Sequence, residues 1–135
     1  MICLVLLTLG GVSPVQAAQV EVEAESYVLI DADSGKVLLA QDEHKRLAPA
    51  SMTKLMTMIL AAQDLEEGKV SVKDKVITSE EAWKMGGSQI YLEPGEEMTF
   101  EEMMIAVAVG SANDASVAIA EHLEGTHQNF VDRMN

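Results

Sequence analysis

The chain has 135 residues, which is enough for one domain at most. Hydrophobic residues make up 48% of it, so a buried core is expected and a disordered chain is excluded. The formal net charge of -13 would repel a phosphate backbone, and we therefore expect no nucleic-acid partner.

The chain begins with an apolar run, residues 1–12, that is too short to span a bilayer. Small residues follow it, as they do at signal-peptidase sites, although no Lys or Arg precedes the run. We predict that residues 1–17 are a signal peptide and that residues 18–135 are exported, to a periplasm or to the outer face of the cytoplasmic membrane and cell wall. Cys3, the only cysteine, would leave with the signal, so the mature chain would contain no disulfide.

Two short strands are predicted next. Residues 26–30 and 36–40 are rich in β-branched, aromatic and other apolar side chains, which favours extended structure. Between them, residues 31–35 have the composition of a turn, with Gly35 able to adopt a positive φ. This pattern predicts a β-hairpin.

A long helix follows a polar loop, residues 41–50. We predict that it begins near Ser51 and ends at Gly68, because apolar residues recur at helical spacing and glycine is a common helix terminator. The apolar residues form two rows, so we expect the helix to be buried on most sides. The rows are Leu55, Ile59 and Ala62, and Met52, Met56 and Leu60.

Residues 70–96 predict an extended piece, a short helix and a turn. Residues 70–77 predict an extended piece, and Thr78 with Glu81 has the spacing of a capping box that opens a short helix. Residues 93–96 place Pro and Gly at the centre of a turn, which favours type II.

Three helices are predicted in the remainder. Thr99 and Glu102 form a second capping box, which opens a helix that runs through Val109. Another helix is expected from about 114 to 123, and a last one begins at Thr126.

Together these elements predict the α+β class, with one hairpin and a helical lobe. An isolated two-stranded sheet is barely stable and could not cover this much apolar helix surface. The last helix also reaches Asn135 without a closing cap. We therefore expect a fragment whose later sheet strands are missing.

A candidate nucleophile lies at the predicted start of the first helix, in Ser51-Met-Thr-Lys54. Residues three apart share a helix face, so the amine of Lys54 could reach the hydroxyl of Ser51 and act as its base. Lysine is a base only when it is neutral, and burial favours the neutral form. A helix N-cap and a solvated surface lysine are the alternative interpretation of the same residues.

A second short motif, Ser111-Ala-Asn113, occupies the tight link between two predicted helices. Its hydroxyl could relay a proton, and its amide could both donate and accept hydrogen bonds to a substrate peptide group. Ser and Asn are also common where helices end and turn, so a structural role remains an alternative.

The two motifs together resemble those of low-molecular-mass penicillin-binding proteins, the serine-type D-alanyl-D-alanine carboxypeptidases. Residues 49–57 resemble the nucleophile motif, and residues 111–116 resemble the second motif at the family's usual distance downstream. Residues 29–38 and 86–95 resemble the opening strands and a segment between the motifs. The resemblance implies the N-terminal part of the β-lactamase/transpeptidase-like fold.

The resemblance also implies a role for each site residue. Ser51 would attack the carbonyl between the last two D-alanines of a peptidoglycan pentapeptide, and water would then hydrolyse the acyl-enzyme. Lys54 would be the general base, Ser111 would relay a proton, and Asn113 would position the substrate. β-Lactams would acylate Ser51 as covalent inhibitors. No metal and no cofactor is implied.

One departure from the family is large. The third motif, Lys-Thr-Gly or a close variant, is missing, and so are the C-terminal domain and the membrane-anchoring helix of many relatives. We therefore expect the 135 residues alone to be inactive and any membrane association to depend on an anchor outside them.

Three alternatives remain open. A β-lactamase would share the motifs, although no Glu-x-x-Leu-Asn stretch is present. A penicillin-sensing or peptidoglycan-binding module would be acylated without turnover. A zinc carboxypeptidase would need metal ligands, but His44, His122 and His127 do not form a His-Glu-x-x-His motif.

Overall fold

The computed structural model describes residues 20–135, and the predicted signal peptide lies outside the described residues. The chain divides into two compact units, of which the first ends at Leu47 and the second is Ala48–Asn135. Each unit is built mainly from contacts among its own residues, and each is described separately below.

The first unit contains the predicted hairpin. Strand β1, Tyr27–Ile30, pairs antiparallel with strand β2, Val37–Gln41. In the turn between them, the Asp31 carboxylate accepts hydrogen bonds from the backbone and the hydroxyl of Ser34. These bonds lower the pKa of Asp31, because they stabilise its charged form.

The second unit contains five helices among the described residues. None of the helices within residues 20–135 is both long and apolar enough to cross a bilayer. Two three-residue strands form a second antiparallel sheet. The helices are α1, Thr53–Glu66, α2, Glu80–Trp83, α3, Phe100–Gly110, α4, Asn113–Glu124, and α5, His127–Met134; the strands are β3, Lys75–Ile77, and β4, Glu97–Thr99.

One of the two predicted capping boxes is confirmed. The hydroxyl of Thr99 accepts the backbone N–H of Glu102, and the Glu102 carboxylate accepts the backbone N–H of Thr99 at 2.8 Å. The predicted box of Thr78 and Glu81 is wrong, because Ser79 is the residue that caps α2.

The reason lies in the second sheet. The backbone N–H of Thr78 donates to the Glu96 carbonyl at 2.9 Å, and the Thr78 carbonyl accepts the N–H of Gly95 at 2.8 Å. These bonds extend the pairing beyond β3, so the helix can begin only after Thr78. Gly95 has a φ of +82°, and Glu96 N–H donates to the Glu93 carbonyl at 2.9 Å, as a type II turn requires.

The core of the second unit surrounds α4, which contacts all four of the other helices. Alanines at 115 and 118 are completely buried, and their small side chains allow close approach of the neighbouring helices. Among residues 20–135, α1 is buried along one face only, whereas the sequence predicts burial on most sides. Its contacts within the second unit lie along the face of Thr57, Leu60 and Ala61, whereas Leu55 is 60% exposed.

Candidate active site

The candidate nucleophile precedes α1 rather than lying inside it. Ser51 belongs to a short 3-10 turn, Ala50–Met52, and α1 begins at Thr53. Ser51 is exposed and Lys54 is half-buried. The Nζ of Lys54 lies 3.5 Å from the Oγ of Ser51, so the one-turn spacing brings the amine to the hydroxyl as the sequence predicts.

The second motif spans the junction of α3 and α4. Ser111 ends α3 in the left-handed conformation, with a φ of 53° and a ψ of 35°, and Asn113 is the first residue of α4. This conformation ends α3, and α4 begins two residues later with its first turns against those of α1.

An open pocket of about 410 Å³ lies beside the candidate nucleophile. Ser51, Lys54 and Asn113 all line it, and α5 supplies an apolar wall that includes Phe130 and Met134. Ser111 is not among the lining residues, so its role as a proton relay stays a prediction.

Two further hydroxyls lie one helical turn deeper. Thr57 follows Lys54 by three residues, and Ser116 follows Asn113 by three, so both pairs share a helix face. The Oγ of Ser116 donates to the Oγ1 of Thr57 at 3.4 Å. The α1–α4 seam is therefore polar at this depth. The i, i+3 spacing in the sequence could have identified both residues.

Asn113 and Asp114 also hold the segment 86–92 against the start of α4. The Nδ2 of Asn113 donates to the Gly86 carbonyl at 2.5 Å. The Asp114 side chain is 1% exposed, and its carboxylate accepts the backbone N–H groups of Ile90 and Leu92. The role of Asp114 was not predicted, because an Asp in the first turn of a helix is common without any tertiary partner.

A buried ion pair fixes the α5 wall. Arg133 donates to both carboxylate oxygens of Asp64, at 2.5 and 2.8 Å, and to Glu124 at 2.6 Å. Asp64 is 2% exposed, and Lys69 lies 3.2 Å from it. The hydrogen bonds from Arg133 lower the pKa of Asp64 and outweigh the opposite effect of burial, while Lys69 adds to the lowering.

We expect Asp64→Asn to lower the free energy of unfolding by about 1 to 3 kcal/mol at pH 7, because Arg133 would lose its buried anionic partner and keep only Glu124. The folded-state pKa of Asp64 is below its ordinary value of 3.8, so the pair stabilises the fold above that pH. This contribution disappears as the pH falls through the folded pKa. Urea unfolding of the native protein and the Asp64→Asn variant, measured from pH 7 downward, should therefore give free energies of unfolding whose difference shrinks once the pH is below about 3.8.

A matched control is Glu80→Gln, which breaks the exposed pair of Glu80 and Lys84. Its effect should stay within about 0.5 kcal/mol. An equal loss of stability in both variants would contradict the structural role of Asp64.

The two histidines of the second unit have different partners, and the third belongs to the first unit. His44 belongs to the first unit, His122 packs against the ring of Phe100, and the Nδ1 of His127 lies 3.0 Å from Glu81. Within residues 20–135, no group of three potential metal ligands is found.

Comparison with known proteins places these features in a family. Residues 13–135 match the D-alanyl-D-alanine carboxypeptidase family. The chain belongs to this family. The D-alanyl-D-alanine carboxypeptidase DacF of Bacillus subtilis is 58% identical over 113 residues, which are 84% of this chain and 29% of that protein. The family predicted from the two motifs is therefore confirmed.

Solved structures of this family share the fold. Penicillin binding protein 5 from Haemophilus influenzae is 36% identical with a TM-score of 0.78, and the match covers 89% of this chain and 36% of that one. DacD from Francisella tularensis is 34% identical with a TM-score of 0.77, covering 90% and 29%. The predicted α+β class and penicillin-binding-protein fold are confirmed. The chain spans about 30% of the length of the curated relatives it matches.

Proposed function

We propose that the complete protein is a serine-type D-alanyl-D-alanine carboxypeptidase that trims peptidoglycan stem peptides through an acyl-enzyme at Ser51. The observation that carries the proposal is one pocket lined by Ser51, Lys54 and Asn113, in a chain that belongs to this family. Residues 18–135 would contribute the nucleophile side of a larger catalytic domain and would be inactive alone.

The first step needs a base for the serine hydroxyl. Neutral Lys54 would accept the proton of Ser51 while Oγ attacks the carbonyl between the two terminal D-alanines. The 3.5 Å separation suits this exchange, because such contacts often shorten when substrate is bound.

The second step releases the terminal D-alanine. The C–N bond breaks, and the leaving amine takes a proton from Lys54, relayed in our proposal by Ser111. Asn113 would hold the substrate peptide group with its amide. Water would then attack the ester on Ser51, with Lys54 again as the base, and the free serine would be restored.

The complete protein would act outside the cytoplasm and would be inhibited by β-lactams. Residues 1–17 would direct export, so the substrate would be met in a periplasm or at the outer face of the cytoplasmic membrane. β-Lactams would acylate the same serine as covalent inhibitors.

The direct test is to give the complete gene product a peptide ending in D-Ala-D-Ala and, separately, a fluorescent penicillin. We expect catalytic release of D-alanine, covalent labelling by the penicillin, and no loss of rate in EDTA. Labelling without D-alanine release would instead indicate a penicillin-sensing module. Rapid penicillin hydrolysis with little D-alanine release would indicate a β-lactamase, and inhibition by EDTA would indicate a metal enzyme.

A further inference from the structure

The side chain and the backbone of Asn113 form hydrogen bonds with the two residues that flank Gly87. Its Nδ2 donates to the carbonyl of Gly86 at 2.5 Å, and its backbone N–H donates to the carbonyl of Ser88 at 2.7 Å. The Asn113 amide therefore lies directly over the backbone of Gly87.

Gly87 leaves the space that this amide occupies. A Cβ atom at position 87 would lie 2.8 Å from the Nδ2 of Asn113, which is closer than Cβ contacts in proteins allow. The φ of Gly87 is +82°, a conformation that already favours glycine. Both the backbone conformation and the close contact therefore select glycine here.

Asp114 prevents the segment from moving away. Its buried carboxylate accepts the N–H of Ile90 at 3.1 Å and that of Leu92 at 3.2 Å. Two consecutive residues of α4 thus bind the segment from Gly86 to Leu92 along its length. A clash at position 87 could not be relieved by a shift of the whole segment without breaking these bonds.

This contact decides how the Asn113 amide faces the pocket. The terminal torsion of an Asn side chain has a broad energy well and does not fix the amide by itself. Because Nδ2 is held by the Gly86 carbonyl, the Oδ1 acceptor and the second Nδ2 hydrogen remain for a ligand. We propose that Gly87 is a positioning residue. Because it has no side chain, the Asn113 amide can pack against its backbone and is oriented there for the substrate peptide group.

The inference rests on the proposed function for its kinetic readout, and Gly95 supplies a matched control. Gly87 and Gly95 have the same φ of +82°, but a Cβ at Gly95 would meet no atom within 4 Å. Alanine therefore brings similar backbone strain at both positions, and only Gly87→Ala also displaces the Asn113 amide. In the complete gene product, we expect Gly87→Ala to lower kcat/KM for D-alanine release about 10- to 100-fold, and Gly95→Ala to change it less than about 3-fold.

A double-mutant cycle separates positioning from general damage. With Asn113→Ala in place, Gly87→Ala should cause little further loss of kcat/KM, because no amide is left to displace. The melting temperature should behave in the same way. Gly87→Ala should lower it by roughly 3 °C or more beyond Gly95→Ala in the native background, but by the same amount as Gly95→Ala when residue 113 is alanine.

The melting temperatures of the single and double variants remain informative if a variant does not fold or if the protein has no activity. If Gly87→Ala alone fails to fold, recovery of folding in the double variant is the expected result. If the native protein releases no D-alanine and binds no penicillin, the proposed function fails while the melting temperatures still test the docking. Equal effects of Gly87→Ala and Gly95→Ala, or additive effects of Gly87→Ala and Asn113→Ala, would overturn the inference.

Discussion

Replacing Ser51 with alanine in the complete gene product should abolish D-alanine release and penicillin labelling together. In the proposed mechanism both reactions use the Ser51 oxygen as nucleophile, so without it no acyl-enzyme would form. Loss of a serine nucleophile typically lowers kcat by about 10⁴-fold or more, so the remaining rate should be close to background. Gel fluorescence measures labelling, and chromatographic quantification of D-alanine measures turnover.

The pocket offers a control for this prediction. Ser116 lines the same pocket, one helical turn from Asn113, and donates to Thr57. The Ser116→Ala variant should still be labelled, and mass spectrometry should locate the penicillin adduct on the peptide that contains Ser51. Labelling of Ser51→Ala at the native rate would refute the nucleophile assignment.

Lys54→Arg should be nearly as damaging, although it keeps the positive charge. Arginine remains protonated at every accessible pH, so it cannot accept the proton of Ser51. Loss of a general base costs about 10²- to 10⁴-fold, and we expect kcat for D-alanine release and the rate of penicillin acylation to fall together within that range. Stopped-time labelling and steady-state kinetics would measure the two rates.

Lys84→Arg is the matched control, because Lys84 lies on the surface in a pair with Glu80 and outside the pocket. It should retain both rates. A Lys54→Arg variant with near-native rates at neutral pH would show that another group is the base. Raising the pH should not restore either rate in the Lys54→Arg variant, because arginine stays protonated.

The predictions that succeeded depend on short-range structure. The hairpin and the Thr99–Glu102 capping box were predicted because a turn or a cap is formed by residues within about five positions of each other. The Thr78–Glu81 box failed although its spacing was correct. The backbone of Thr78 pairs with Gly95 and Glu96, and an interaction between distant residues leaves no mark in local spacing.

In the candidate site, too, some contacts follow from local spacing and others depend on tertiary packing. Ser51 and Lys54 are one helical turn apart, so their proximity follows from the spacing alone. Asn113 joins them only because α4 packs against α1. The pairing of Asp64 with Arg133, which are far apart in the chain, was not predicted, because charged residues are frequent and most of them are solvated.

The amino-acid sequence was therefore sufficient for the family, the α+β class and the serine–lysine pair, since motifs and helical periodicity are local properties of the chain. Tertiary packing decided which groups share the pocket, which carboxylates are buried, and which side chain a Cβ atom at position 87 would meet. The physical reason is that burial and contact depend on the relative placement of whole elements. That placement results from many weak contacts between residues distant in the chain, and no single motif records it.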